Sequence, residues 1–353
     1  MSSTRRLFHP SVEGAQHGQK SLREFLKFAK KAGAEGCQPT NFMLQNASGV
    51  FMTAEEIINE FGEAGLKLDG ISAHCPFWVH TTAWTGSKTI LPFVPAEVAV
   101  RGNLDIEAWA EEYILSLLYL CGELQVTVVP MFWGVVQGWE LATGYPWGFW
   151  KGPNYDLIQE GHDRFAQKTL RIRNEARTCG IKLAHEIHPG TAASCAQDFV
   201  DLLKACDCDR VLGVNADPSH CWEGESWETR FGDPTIASRI YGVHMKNHVI
   251  RSGMPLRCME PDWQKRPMQF TSLDRGDIDM VRYTEAMIRA GYPGRYLEQM
   301  GEGTAPLVVE AEGAYEDLDA ISAKGIQFVE NHFCFKVAGG SFEDGMGEQG
   351  KKK

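Results

Sequence analysis

Short β-rich runs alternate with amphipathic helical stretches along almost the whole of this chain of 353 residues. Eight runs are strand-like: residues 6–12, 34–40, 66–74, 125–132, 181–187, 210–216, 240–246 and 306–312. Between them, 21–33, 106–124, 164–180, 195–206 and 282–292 carry apolar residues at helical spacing. Several of these stretches end in Gly or a polar residue just before the next strand, as a helix-to-strand connection requires. Apolar runs at 126–129 and 307–309 suit strands buried on both faces. Eight β/α units in succession predict a closed parallel barrel, an α/β (β/α)8 TIM barrel, over residues 1–335. Residues 336–353 read as a polar C-terminal tail. An open doubly wound sheet is the alternative. No G-x-G-x-x-G follows the first strand and no Walker A motif occurs, so its nucleotide-binding versions lack support.

Charge narrows the partners. Lys and Arg number 35 against 46 Asp and Glu, a formal net charge of −11. A nucleic-acid surface needs clustered Lys and Arg, so nucleic acid is not an expected partner. No run of about 18 apolar residues is present, so no membrane span is expected. The N-terminal segment has two arginines but no apolar core of a secretory signal. The ten cysteines form no C-x-x-C pair and read as reduced thiols of a cytoplasmic protein.

The chemistry gathers at the ends of strands five to eight. These read Ala184-His185-Glu186-Ile187-His188-Pro189-Gly190, Asn215-Ala216-Asp217-Pro218-Ser219-His220, Val243-His244-Met245-Lys246 and Val309-Glu310-Ala311-Glu312. In a barrel those ends converge on one axis, so Glu186, Asp217, His244 and Glu310 are expected to surround one point. Such groups share a dry pocket only when something neutralises them, and a divalent cation does so directly. Three carboxylates and one imidazole suit Mn2+ first, with Mg2+, Co2+ and Zn2+ also compatible. The alternative is a network of ion pairs plugging the mouth.

Long connections after strands three, four and seven are expected to build the mouth. The second, 133–163, holds four of the ten tryptophans, Trp133 among them. Aromatic planes there suit the apolar faces of a sugar or a flat aglycone. They suit packing between loops or subunits equally well.

The chain resembles the xylose-isomerase-like TIM-barrel superfamily, and within it the sugar phosphate isomerase/epimerase family. The resemblance rests on His185-Glu186-Ile187-His188-Pro189-Gly190, on the D-x-x-H of Asp217 and His220, on the H-x-K of His244 and Lys246, and on Val308-Val309-Glu310. It implies one divalent metal held by Glu186, Asp217, His244 and Glu310. It also implies proton transfer at the carbon next to a carbonyl, through an enediolate, with Glu186 and Glu310 as acid and base. His188 lies two residues beyond Glu186, on the same side of its strand, and is a further acid/base or donor candidate. His74, His220, Lys246, Arg275 and Trp133 are the expected substrate contacts. The expected activity is a sugar isomerase or epimerase on a small sugar or keto-sugar. The alternative is a lyase that eliminates a β-substituent from a keto-sugar or keto-glycoside, as in inosose dehydratase or C-glycoside-cleaving enzymes. Relatives commonly associate, so a homodimer or homotetramer is expected. Two departures stand out: Cys37-Gln38-Pro39 occupies the end of strand two, where relatives often have glutamate, and 249–272 is enlarged.

Overall fold

The computed structural model describes residues 6–46, 48–137, 151–152, 155–221, 225–251, 262–300, 303–313 and 315–335. Its main sheet has eight strands: β1 (Phe8–Glu13), β2 (Gly36–Gln38), β3 (Lys67–Leu68), β4 (Val128–Met131), β5 (Lys182–Glu186), β6 (Leu212–Ala216), β7 (Ile240–Met245) and β8 (Ala305–Val309). All pairings within it are parallel, in the order β3-β2-β1-β8-β7-β6-β5-β4. Its two ends approach each other where Ala73 N–H donates to the Pro130 carbonyl at 2.9 Å. This is the curled eight-stranded parallel sheet of a TIM barrel, and each predicted strand is present.

Local chemistry sets the helix ends. Ser21 and Glu24 form a reciprocal capping box at the start of helix Leu22–Ala32, and Thr53 and Glu56 do the same for Ala54–Ala64. Both helices stop at a glycine with positive φ, Gly33 at 93° and Gly65 at 64°. Their buried faces, Phe25, Leu26, Ala29, Ile57 and Phe61 among them, belong to the main apolar core. Helices are thereby pinned outside the sheet, and the strand ends are left to face the mouth.

The long connections differ from plain loops. Residues after β3 are largely helical, in segments His74–Thr82, Lys88–Phe93 and Ala96–Ala99. Val79, Ala83, Ile90, Val94 and Val98 bury themselves on Ile106 and Ala110 of helix Asn103–Glu123 as a small satellite core. Its tryptophans do packing work: Trp78 meets Phe93 edge-on, and Trp84 donates to the Val135 carbonyl at 3.1 Å. In the connection after β4, Trp139, Trp147 and Trp150 lie outside the described residues. After β7 the chain forms an antiparallel hairpin, Asn247–Ile250 against Met268–Thr271. The tail at 336–353 also lies outside the described residues. Among the described residues, no helix is long and apolar enough to cross a membrane.

Candidate metal centre

Each site strand contributes a residue within one position of its C-terminal end. Glu186 closes β5, Asp217 follows β6, His244 is the penultimate residue of β7, and Glu310 follows β8. One ligand atom from each lies within 4.8 Å of the other three, and all four side chains are buried. The sequence expectation that they meet around one point holds.

Close approach here is not hydrogen bonding. His244 Nδ1 stands 2.7 Å from Glu310 Oε2 and 3.1 Å from Glu186 Oε2. Yet His244 Nδ1, Glu310 Oε2 and Asp217 Oδ2 are buried without a hydrogen-bond partner. Orphaned buried polar atoms are costly, and three of them aimed at one place are the geometry of a metal-ligand set. The remaining lone pairs are occupied. Asn215 Nδ2 donates to Glu186 Oε2 at 3.0 Å, Ser219 N–H to Asp217 Oδ1 at 2.7 Å, and Lys246 Nζ to Glu310 Oε1 at 3.0 Å. Such contacts orient ligands and leave their free oxygens for metal. Asn215 itself fits only because residue 242 is glycine: a Cβ there would sit 2.5 Å from its Oδ1.

Burial works against ionisation at every one of these groups, and mutual attraction overrides it. Contacts with His220, His244 and His74 hold the Glu186 carboxyl well below the ordinary range. The Lys246 charge holds Glu310 down, and Glu310 holds both His244 and Lys246 well up. A cation in the centre would take over that neutralising role from the imidazole. The donor set, three carboxylates and one histidine, fits a hard or borderline divalent ion.

Four more predicted residues reach the centre. His220 Nε2 is 3.1 Å from Glu186 Oε1 and 3.3 Å from Asp217 Oδ2. Burial opposes its charge, but Asp217 pushes it up to about 9. His188 lies against His220, with ring centroids 4.0 Å apart and the planes tilted by 53°, and its Nδ1 faces the Pro189 carbonyl at 2.6 Å. Burial, then the His220 charge, push it down to about 3, so it stands neutral with Nε2 as its free lone pair. His74 Nε2 is 3.6 Å from Glu186 Oε2, and its Nδ1 pairs with Ser72 Oγ at 2.9 Å. Lys246 is held by Glu312 at 2.9 Å as well as by Glu310, and its Nζ lies 4.3 Å from the Phe270 ring of the hairpin.

Two predicted substrate contacts are not brought to the centre. Trp133 is 1% exposed and packs among Phe77, Phe165 and His80, so it serves as core behind the mouth. Its tryptophan-rich sequence neighbourhood concealed that role. Arg275 is half exposed at the surface, paired with Glu316 and Ser272. The enlarged segment before it displaced the alignment on which that expectation stood.

Sequence reasoning also missed a residue. Glu13 closes β1 and is 1% exposed. Burial, then the nearby Glu310 charge, push its carboxyl up to about 7. A signal existed: β1, like β5, ends in a glutamate.

A model of the family described as Xylose isomerase-like TIM barrel matches residues 26–328. The chain belongs to this family. Several solved structures share the xylose isomerase-like barrel at low sequence identity. A xylose isomerase-like TIM barrel protein from Mycobacterium smegmatis in complex with magnesium aligns over 96% of this chain and 100% of its own, at 15% identity and TM-score 0.60. The probable 3-DHS dehydratase AsbF from Bacillus anthracis covers 92% of this chain and 99% of its own, at 16% identity and TM-score 0.60. D-psicose 3-epimerase from Clostridium cellulolyticum H10, solved with D-tagatose, covers 92% and 99%, at 15% identity and TM-score 0.56. These likenesses concern the fold. Among curated proteins no sequence matches.

Proposed function

We propose that this xylose isomerase-like barrel is a divalent-metal-dependent sugar isomerase or epimerase that moves a proton at the carbon next to a carbonyl. One observation carries the proposal: four strand-end ligand atoms converge within 4.8 Å while several of them lack any hydrogen bond. Glu186, Asp217, His244 and Glu310 would hold a divalent ion, Mn2+ first, which would supply polarisation of a carbonyl and so acidify the neighbouring C–H. Glu186 and Glu310 sit on strands separated by two others and take and return the proton. His74, His220 and Lys246 orient substrate oxygens, and the neutral His188 is available as a further acceptor. The protein works as a homodimer or homotetramer, which light scattering tests directly.

Elimination is the second reading, because His220 Nε2, 3.1 Å from Glu186 and 3.3 Å from Asp217, is placed to deliver a proton to a departing oxygen. The deciding experiment joins elemental analysis to incubation of Mn2+-loaded protein with ketohexoses in D2O. Deuterium at the carbon next to the carbonyl is the expected result. Absence of exchange with every ketose sinks the isomerase reading. Release of water or an aglycone from a keto-sugar or keto-glycoside, seen by mass spectrometry, establishes elimination in its place.

A further inference from the structure

The wall of the barrel facing the metal ligands carries a polar cluster of its own. Glu13 lies four strands from Glu186 in either direction round the sheet order, so the two stand on opposite walls. The last paired positions of β1 and β8 are Val12 and Val309. Glu13 and Glu310 are the next residues, so their side chains share the inner face. Glu13 also pairs in register with Gln38 of β2, and Ser11 shares its face two residues earlier.

One Glu13 oxygen is fixed and the other is not. Oε2 accepts from the Ala15 backbone N–H. Oε1 accepts no hydrogen bond, although the Ser72 hydroxyl lies beside it, engaged with His74 Nδ1. Gln38 Oε1 and Ser11 Oγ are buried and unpartnered in the same way. Buried acceptors of this kind are places where the donors of a ligand fit. Glu13 and Gln38 present acceptor oxygens, so the occupant must bring donors. Hydroxyl groups do this, whereas a phosphate brings only further acceptors and negative charge. Among the described residues, Lys246 is already held by Glu310 and Glu312, which leaves it committed.

We propose that Glu13 is a substrate-contacting residue that accepts a hydrogen bond from a sugar hydroxyl, and that the part of the substrate it meets is unphosphorylated. The assignment rests on the metal-dependent sugar reading above and sharpens its substrate class to a neutral ketose or polyol. Glu13→Gln is an informative variant. The Ala15 N–H keeps the amide oxygen, so the NH2 takes the place of Oε1 and an acceptor becomes a donor.

The test is calorimetric titration of full-length, Mn2+-loaded protein with D-fructose, sorbitol and D-fructose 6-phosphate, alongside Glu13→Gln and Glu13→Ala. Neutral sugar or polyol should bind the wild type at least as tightly as the phosphate ester does. Both variants should weaken that binding about tenfold or more. Their metal affinity and melting temperature should stay near those of the wild type. Unchanged sugar affinity in both variants overturns the assignment. So does tighter binding of the phosphate ester, absence of wild-type binding to all three probes, or a parallel loss of metal, which would make Glu13 a support for Glu310. Deuterium exchange separates this proposal from the reading beneath it. Glu13-dependent binding without exchange removes the isomerase chemistry and keeps the contact. Exchange that is indifferent to Glu13 does the reverse.

Discussion

Glu186 at the end of β5 and Glu13 at the end of β1 are the same side chain, both buried, on opposite walls of one barrel. Their ionisation differs in direction. Three imidazoles hold Glu186 well below the ordinary carboxylate range, whereas burial pushes Glu13 up to about 7. Burial acts on both alike, so neighbours decide the outcome. The β5–β8 wall concentrates charge with its compensation built in. The β1–β3 wall concentrates hydrogen-bonding capacity with little charge to compensate it. One wall is suited to hold an ion and move protons, and the other to grip the neutral part of a molecule reacting there.

The largest effects should come from breaking the charged wall. Glu186→Gln and Glu310→Gln should each lower turnover by about 10²–10⁴-fold, the range of a lost acid or base. Both remove a metal ligand too, so metal content measured in parallel separates chemistry from binding. Retained activity in both variants would strip these residues of the proton-transfer role. Next is Lys246→Met, which leaves Glu310 and Glu312 without their shared cation. Metal-free protein should lose about 3–5 kcal/mol in urea unfolding. Added Mn2+ should restore part of that loss, because the ion takes over the neutralising role. A smaller effect is expected from Gly242→Ala, which pushes Asn215 off Glu186 without touching a ligand. Metal affinity should fall about 10–100-fold, with the fold intact by circular dichroism. Unchanged affinity would show that Asn215 does not orient Glu186.

The charged wall was legible in the sequence and the neutral wall was not. Glu186, Asp217, His244 and Glu310 each follow an apolar strand, and convergence at a barrel mouth turns four separate strand ends into one site. His74, His188 and His220 could be placed by the same logic. Glu13 ends its strand in the same way, but its significance depends on register with Glu310 and Gln38, which pair across strands far apart in the chain. Trp133 misled because residue type alone does not tell a platform from a core residue. Three aromatic or imidazole rings enclose it, contributed by segments as distant as Phe77 and Phe165. The helical character of the connection after β3 was equally hidden. Its turns are short, one of them interrupted by Pro92, and their stability comes from the satellite core on helix Asn103–Glu123.

The smallest expected effect lies behind the neutral wall and tests whether charge there is structural only. Glu111, on helix Asn103–Glu123, faces the buried His80 at 3.8 Å and Arg171 at 2.7 Å. The His80 contact outweighs burial and, with Arg171, brings its carboxyl down to about 2 from an ordinary 4.5. Between those values the unfolded chain binds more protons than the folded one, so stability rises with pH. The contribution of Glu111 is therefore full above about pH 4.5 and lost as pH falls towards 2. Glu111→Gln should cost about 1 kcal/mol or less at neutral pH, as expected of a pair near the surface. The gap between variant and wild type in urea midpoint should close as the solution is acidified through that window. Metal content and sugar affinity should not change. A gap that stays constant on acidification would mean that the side chain contributes packing and not charge, and a change in metal content would mean that the two walls are coupled through helix His74–Thr82, which carries both His74 and His80.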